Sequence, residues 1–169
     1  HHLQMNISIQ QHSGVYVLSA EQLLPVTISS AWQFFSSPQN LQAITPANVN
    51  FKITSGAEGK IYAGKIITYK IQLIPFIKNN WVTEITSVDE GKLFVDEQLS
   101  GPYALWHHEH HFEQVANGVM MKDIVTYKLP MGFLGRMVAG RIVKNILIKI
   151  FSFRYNVLSQ VFPAANLNQ

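Results

Sequence analysis

The sequence predicts an α+β domain in which a curved antiparallel sheet of about seven strands packs around a long C-terminal helix. Between about residues 50 and 129, apolar and polar residues alternate with the period of two that is typical of strands. Short turn segments interrupt this region, which favours an antiparallel meander over crossover connections. Beyond residue 132 the apolar residues take helical spacing. We place a single ligand-binding domain at 15–162, with 1–4 as a purification-tag remnant and 163–169 as a tail.

The first part of this domain predicts one strand and two short helices. Residues 15–23 are rich in β-branched and aromatic side chains and predict a strand. A helix then begins near Ser29, with Thr27 or Ser29 as its N-cap. A second helix spans about 37–44, since proline is favoured at a first helical position, and Pro46 ends it.

The period-two region predicts six more strands before the closing helix. Asn117-Gly118 supplies the positive φ angles that a type I′ hairpin turn requires. The closing helix spans about 132–162, and thirty helical residues cover about 45 Å, enough to cross a whole domain. The six predicted strands lie at 51–55, 60–73, 81–88, 92–99, 103–115 and 119–129.

Composition excludes several classes of protein. The chain has no cysteine, which excludes disulfides, thiol nucleophiles and cysteine-bound metals. It has no apolar run long enough to span a bilayer, and no segment resembles a secretory signal. We therefore expect a cytoplasmic protein. No phosphate loop or dinucleotide fingerprint is present, so we expect no cofactor.

The basic residues are concentrated in one segment. The net charge is +3, yet residues 130–162 contain five basic residues and no acidic one. They form either a solvated helix face or a weak contact with an anionic membrane surface or an acidic ligand group. Nucleic acid is not an expected partner, because the strands carry no basic cluster interleaved with aromatic residues. The candidate membrane-contacting residues are Arg136, Arg141, Lys144 and Lys149.

The histidine-rich hairpin at 103–129 carries the most informative chemistry. If Asn117-Gly118 forms the turn, Phe112 lies opposite Asp123 and His108 lies opposite Tyr127. Strand side chains alternate between faces, so the outer face takes a mostly charged set that suits solvent. The inner face should point to the helix and takes Trp106, His108, His110, Phe112, Asp123, Val125 and Tyr127.

This inner face is too polar for an ordinary core, because buried polar groups need partners. One interpretation is that these groups satisfy each other and only rigidify the sheet. Another is that they form the polar end of a ligand pocket. A third is a metal site, since His108, His110 and Asp123 offer ligands on one face, although no metal motif accompanies them and we expect no metal.

The chain resembles the START-related SRPBCC superfamily, in particular a bacterial subgroup similar to polyketide cyclases and dehydrases. The resemblance covers about 15–162 and is carried by the runs 32–41, 101–112, 123–130 and 151–154. It implies a helix-grip fold with a cavity between the concave sheet face and the long helix. It implies no particular reaction, because that fold hosts carriers, receptors and enzymes.

Further candidate wall residues lie on the neighbouring strands. The subgroup's pattern implies that Phe94, Asp96 and Gln98 face inward, and Tyr69 lies on the apolar face of the strand at 60–73. Arg154, on the long helix, is expected to extend to water. The apolar loop at 74–77 is a candidate lid or membrane contact.

These observations predict binding or transport of a small, mostly apolar molecule (a lipid, aromatic, polyketide or isoprenoid-like compound) in a pocket of several hundred Å³. One alternative is a cyclase- or dehydratase-type enzyme in which His108, His110 and Asp123 perform acid–base chemistry. The other is a peripheral membrane-binding module. The predicted ligand-binding residues are Trp106, His108, His110, Phe112, Asp123, Tyr127, Phe94, Gln98 and Tyr69.

Overall fold

The antiparallel sheet has eight strands, one more than the sequence predicts. The computed structural model describes residues 5–74 and 77–164. The strand order across the sheet is β1-β2-β8-β7-β6-β5-β4-β3, and every neighbouring pair is antiparallel. The strands are β1 (Asn6–His12), β2 (Val15–Leu24), β3 (Lys52–Ser55), β4 (Ile66–Ile74), β5 (Ile77–Asp89), β6 (Leu93–Ser100), β7 (Leu105–Val115) and β8 (Gly118–Lys128).

Two short helices, α1 (Ile28–Phe35) and α2 (Asn40–Ala43), follow β2, and α3 (Gly132–Val161) closes the domain. Of the two predicted caps, Thr27 is the one that caps α1: its side-chain oxygen accepts a hydrogen bond from the Ser30 backbone N–H at 3.2 Å. The second helix is shorter than predicted, and a 3-10 turn at Ala47–Val49 follows it. No helix among the described residues is long and apolar enough to cross a bilayer.

The strand that sequence reasoning missed is β1. It pairs with β2 through a turn at Ser13 and Gly14, whose φ angles of 51° and 83° have the positive sign that a type I′ turn requires. Its inward side chains, Ile7 and Ile9, pack against the core. Two isoleucines alternating with polar residues are a weak strand pattern beside the stronger run that follows.

Two predicted strands begin four or more residues away from the position seen in the structure. β4 begins at Ile66 rather than at residue 60, because Gly64 has a φ of 95° and the Lys65 N–H donates to the Tyr62 carbonyl, which forms a turn. β5 begins at Ile77 rather than at residue 81. The predicted lid at 74–77 includes residues outside the described ranges and stays a prediction.

The hairpin of β7 and β8 has the predicted faces but a different register. Its turn residues are Ala116 and Asn117, and the positive φ falls on Gly118, which already pairs with Val115. His110 is therefore opposite Asp123, where the prediction placed Phe112. A shift of two positions preserves the face of every side chain, so the predicted inner set is buried, as expected: Trp106, His108, His110, Phe112, Asp123, Val125 and Tyr127.

α3 packs across the concave face of the sheet with one buried stripe. The stripe follows the 3.6-residue period, and its members join two core clusters, one toward each end of the domain. An arginine lies within it. The buried side chains of the stripe are Val143, Leu147, Ile150, Phe151, Arg154 and Leu158.

Candidate functional site

A cluster of two imidazoles and two carboxylates lies on the inner face of the sheet. His108 Nε2 is 2.8 Å from Asp123 Oδ1, and His110 Nε2 is 2.6 Å from Asp96 Oδ2. His110 Nδ1 lies 3.3 Å from the same Asp123 oxygen. The two imidazole rings stack with centroids 3.7 Å apart. We call these four side chains the His–Asp cluster.

The cluster forms because three adjacent strands present alternate side chains to one face. Asp96 lies on β6 opposite His108 on β7, and Asp123 lies on β8 opposite His110. The Phe94 ring stacks on the His110 ring at 4.0 Å, which covers the imidazole with apolar surface. The buried groups thus acquire the partners that burial requires.

The two histidines have opposite pKa shifts. Burial and the nearby charge of His110 lower the pKa of His108 below its usual range. Burial also lowers the pKa of His110, but hydrogen bonds to Asp123 and Asp96 outweigh burial and raise it. Burial raises the pKa of both carboxyls, yet the imidazoles more than compensate and hold the pKa of Asp96 and of Asp123 below the usual range. These directions place a proton on His110 in preference to His108.

Two chambers adjoin the cluster between the sheet and the helices. The chamber facing α1 and α2, the helix-pair chamber, has a volume of about 90 Å³. The chamber facing α3, the long-helix chamber, has about 100 Å³. Together they provide about 190 Å³, less than the several hundred Å³ predicted. The residues that line both are Leu41, Tyr69, Asp96, His110 and Arg154.

The walls of the two chambers are otherwise mostly apolar, with Ser37, Asn40 and Thr83 as polar exceptions in the helix-pair chamber and Thr45 in the long-helix chamber. The helix-pair chamber is lined by apolar residues such as Phe35, Ile44 and Ile85. Trp81, Trp106, Leu147 and Phe151 line the long-helix chamber, together with His108. Asp96, His110 and Arg154, the ionisable groups that both chambers share, therefore lie where the chambers meet, an arrangement typical of sites that orient one end of a small molecule.

Arg154 contradicts the prediction that it extends to water. Its side chain is buried, with a relative exposure of 8%, and it lines both chambers. The guanidinium carbon lies 4.9 Å from the centroid of the Phe151 ring. Its Nε has no hydrogen-bond partner among the described residues, and none of the ion pairs found there includes it. Its position on the apolar stripe of α3 is the signal that could have predicted its burial.

The structure brings five of the predicted site residues to the chambers: Trp106, His108, His110, Phe94 and Tyr69. Asp123 lies behind the imidazoles and holds both of them. Phe112 instead packs in the core against Trp32. Tyr127 also does not line either chamber, because its ring stacks on Tyr16 at 5.0 Å.

The structure does not bring Gln98 to either chamber. Gln98 lies opposite Thr83 of β5, just beyond Glu97, the last residue of β6 that pairs with β7. Its side-chain amide instead bonds both backbone groups of Tyr103, at 2.8 and 3.0 Å, and braces the turn between β6 and β7. Asp96, two residues earlier, is the polar residue of this strand that reaches the site.

Three donor groups of the cluster could approach a metal ion. One ligand atom each from Asp96, His108 and His110 lies within 4.8 Å of the others. A cation there would have to separate the 2.6 Å contact between Asp96 and His110, and it would lie near the Arg154 charge that already acts on Asp96. The donor set fits a hydrogen-bonded proton network better than a metal centre.

Comparison with known proteins identifies the architecture. No protein-family model matches the sequence, and a search of curated proteins finds no match. Protein Ms6760 of Mycobacterium smegmatis is similar in structure, with a TM-score of 0.66, 14% identity, and coverage of 96% of this chain and 99% of that one. The major latex-like protein 151 of Panax ginseng is similar with a TM-score of 0.65 and 12% identity, over 89% of this chain and 99% of that one. Protein TTHA0849 of Thermus thermophilus is similar with a TM-score of 0.65 and 12% identity, over 88% of this chain and 98% of that one. With its eight-stranded antiparallel sheet closed by α3, the chain has a helix-grip fold.

Proposed function

We propose that the protein binds a small, mostly apolar molecule that carries one uncharged oxygen acceptor, such as a ketone or ester. The observation that carries this proposal is Arg154, a buried guanidinium at the junction of two apolar chambers whose Nε has no partner among the described residues. A buried donor without an acceptor costs about 1–3 kcal/mol. A ligand oxygen that accepts a hydrogen bond from Arg154 Nε would remove that cost, and the bond would orient the ligand.

The charges around the chambers favour an uncharged ligand. With one shared proton on His110, which contacts both carboxylates of the cluster, the positive charges of His110 and Arg154 balance the two negative charges. An anionic ligand would add an uncompensated charge to a buried site, which is strongly unfavourable. A ketone or ester accepts a hydrogen bond from Arg154 without changing this balance.

The volume favours a molecule with one ring or a short branched chain. An apolar cavity of about 150 Å³ accommodates benzene, and the two chambers together provide about 190 Å³. We further propose that the chain belongs to the START-related SRPBCC superfamily, in the bacterial subgroup similar to polyketide cyclases and dehydrases. The sequence resemblance and the helix-grip fold support that assignment.

Three probes of similar size test the proposal by calorimetric titration: acetophenone, ethylbenzene and benzoate. Acetophenone should bind most tightly, because it alone combines an apolar ring with an uncharged acceptor. Arg154→Met should weaken acetophenone binding by about tenfold or more, since hydrogen bonds to charged groups contribute about 1.5–3 kcal/mol. Ethylbenzene binding should be unaffected by this substitution.

Arg141→Met is the matched control, because it removes the same side chain from an exposed position of the same helix. Circular dichroism establishes whether each variant is folded. If Arg154→Met does not fold, Arg154→Lys takes its place, because it preserves the positive charge and removes the guanidinium. Equal affinity of the wild type for acetophenone and ethylbenzene would contradict the role of Arg154. Tightest binding by benzoate would contradict the uncharged ligand.

One observation favours an acid–base enzyme as the second candidate function. His108 Nε2 is bonded to Asp123, whereas Nδ1 lies 3.7 Å from Asp96, beyond hydrogen-bond distance, and the residue lines the long-helix chamber. A neutral imidazole that donates Nε2–H to a carboxylate has a free lone pair on Nδ1. That pair could abstract a proton next to a ligand carbonyl.

Exchange of the methyl protons of acetophenone with deuterated water separates the two functions. An enzyme should accelerate this exchange, and His108→Gln should abolish the acceleration while acetophenone still binds. A pure binding protein should produce no exchange above the buffer rate at saturating acetophenone.

A further inference from the structure

We propose that the N-terminal half of α3 docks on a bilayer that contains anionic phospholipid. The proposal rests on a surface that shares no residue with the two chambers and is independent of the ligand that the chambers bind. Six large apolar side chains are exposed, one at the residue that precedes α3 and five within the first three turns of the helix. We call them the α3 patch: Met131, Phe133, Leu134, Met137, Val138 and Ile142.

Each member of the patch exposes between 50% and 78% of its surface. Between the patch and the loops at Pro102 and Leu129 lies an apolar groove of about 270 Å³, larger than either internal chamber. Single exposed apolar residues are ordinary, but a contiguous group of this kind marks a contact surface. Amphipathic helices enter the headgroup region of a bilayer with such residues.

Basic residues on the same helix favour an anionic partner. Arg136 lies over the β1–β2 turn, where a Cβ added at Gly14 would be 2.7 Å from Arg136 Nη1. Lys144 Nζ lies 5.3 Å from the centroid of the Tyr16 ring. Arg141 and Lys149 are exposed. No acidic residue occurs between 130 and 162, so the helix presents apolar and cationic groups together, which complements an anionic lipid surface.

The same charges disfavour a second copy of the chain as the occupant. In a two-fold symmetric dimer the same surface of each copy meets the other, so the basic residues of the two helices would be brought close to one another. Like charges opposed across an interface are unfavourable. A bilayer with anionic headgroups instead compensates the positive charges of all of these basic residues.

Vesicle flotation of the full chain tests the proposal, with phosphatidylcholine alone and with added phosphatidylglycerol. Binding should require phosphatidylglycerol and should be lost in about 1 M salt, where the Debye length falls to about 3 Å. The double variant Arg141→Glu, Lys149→Glu should weaken partitioning on the order of tenfold or more. Phe133→Ser with Met137→Ser should weaken it similarly, because apolar insertion is lost.

Two matched controls remove the same chemistry from other surfaces. Lys52→Glu with Lys70→Glu reverses two exposed cations on β3 and β4, and Tyr62→Ser with Leu99→Ser removes two exposed apolar side chains. Both should bind vesicles like the wild type. Absence of binding to phosphatidylglycerol vesicles, or equal losses in the controls, would overturn the proposal. A second result would also overturn it: the wild type sediments as a dimer and does not bind vesicles, and the Phe133→Ser, Met137→Ser variant sediments as a monomer.

Discussion

At the scale of single residues, one carboxylate oxygen of Asp123 organises both histidines. It lies 2.8 Å from His108 Nε2 and 3.3 Å from His110 Nδ1. The same contacts explain why the two imidazoles differ, because His110 has a carboxylate at each ring nitrogen whereas His108 has a hydrogen bond at only one. Proximity of the two rings then favours one shared positive charge over two.

The raised pKa of His110 predicts a defined dependence of stability on pH. A group whose pKa is higher in the folded than in the unfolded state stabilises the fold below its unfolded pKa, about 6.5, and loses that effect as pH rises through the folded value. The wild type should therefore exceed His110→Gln in free energy of unfolding most strongly below about pH 6.5. The difference should shrink at alkaline pH. Urea denaturation of both proteins across this range measures it.

His12→Gln is the control, because His12 is an exposed residue at the end of β1. Its effect should stay within about 0.5 kcal/mol at every pH. A difference between wild type and His110→Gln that grows as pH rises above about 6.5 would contradict the assignment of a protonated His110.

At the scale of elements, sequence periodicity predicted faces better than it predicted registers. Trp106, His108 and His110 point inward as expected, because alternation depends only on residue parity. The exact pairing depends on backbone angles at the turn, and those follow from tertiary contacts that Asn117-Gly118 does not reveal. Gly118 approaches Leu24 so closely that an added Cβ would lie 2.1 Å from its carbonyl oxygen.

This close approach predicts a large effect of Gly118→Ala. The substitution adds strain at a φ of 138° and a collision with backbone atoms that cannot move aside. We expect a loss of about 3 kcal/mol or more in the free energy of unfolding, within the range for overpacking combined with backbone strain. Gly59→Ala separates the two causes, because Gly59 has a φ of 68° but no atom within 4 Å of the added Cβ. It should cost about 1 kcal/mol.

If Gly118→Ala and Gly59→Ala lose the same free energy of unfolding, the close approach to Leu24 does not add to the effect of backbone strain. A loss below about 1 kcal/mol at Gly118 would contradict the observed approach of β8 to the end of β2. Chemical denaturation with a common slope for all variants provides the comparison.

The long helix shows the same division between what a sequence can and cannot predict. Its bounds agree with the predicted range to within a residue, because a wide apolar stripe ends at Pro163. The burial of Arg154 was missed, since an arginine on a helix usually extends to solvent. Its position on the apolar stripe of α3 was the sequence signal for burial, and Asp96 on the sheet, which faces the same space, supplies the opposite charge.

At the scale of the whole molecule, two surfaces of different chemistry share one helix. The C-terminal half of α3 covers the internal chambers with Leu147, Phe151 and Arg154, whereas the N-terminal half exposes the α3 patch. The sequence predicted the helix-grip architecture and an inward polar face. It did not predict how small the chambers are, because volume depends on how side chains from distant strands fill the space between them.

Nuclear magnetic resonance titration with acetophenone tests most directly whether the internal chambers, rather than the larger surface groove, are the binding site. Binding in the chambers should produce saturable shifts of the Arg154 side-chain signals and of the Tyr69 and His108 backbone signals, with little change at Leu134 and Val138. Shifts confined to Leu134, Val138 and their neighbours in the groove, with the chamber residues unaffected, would contradict it.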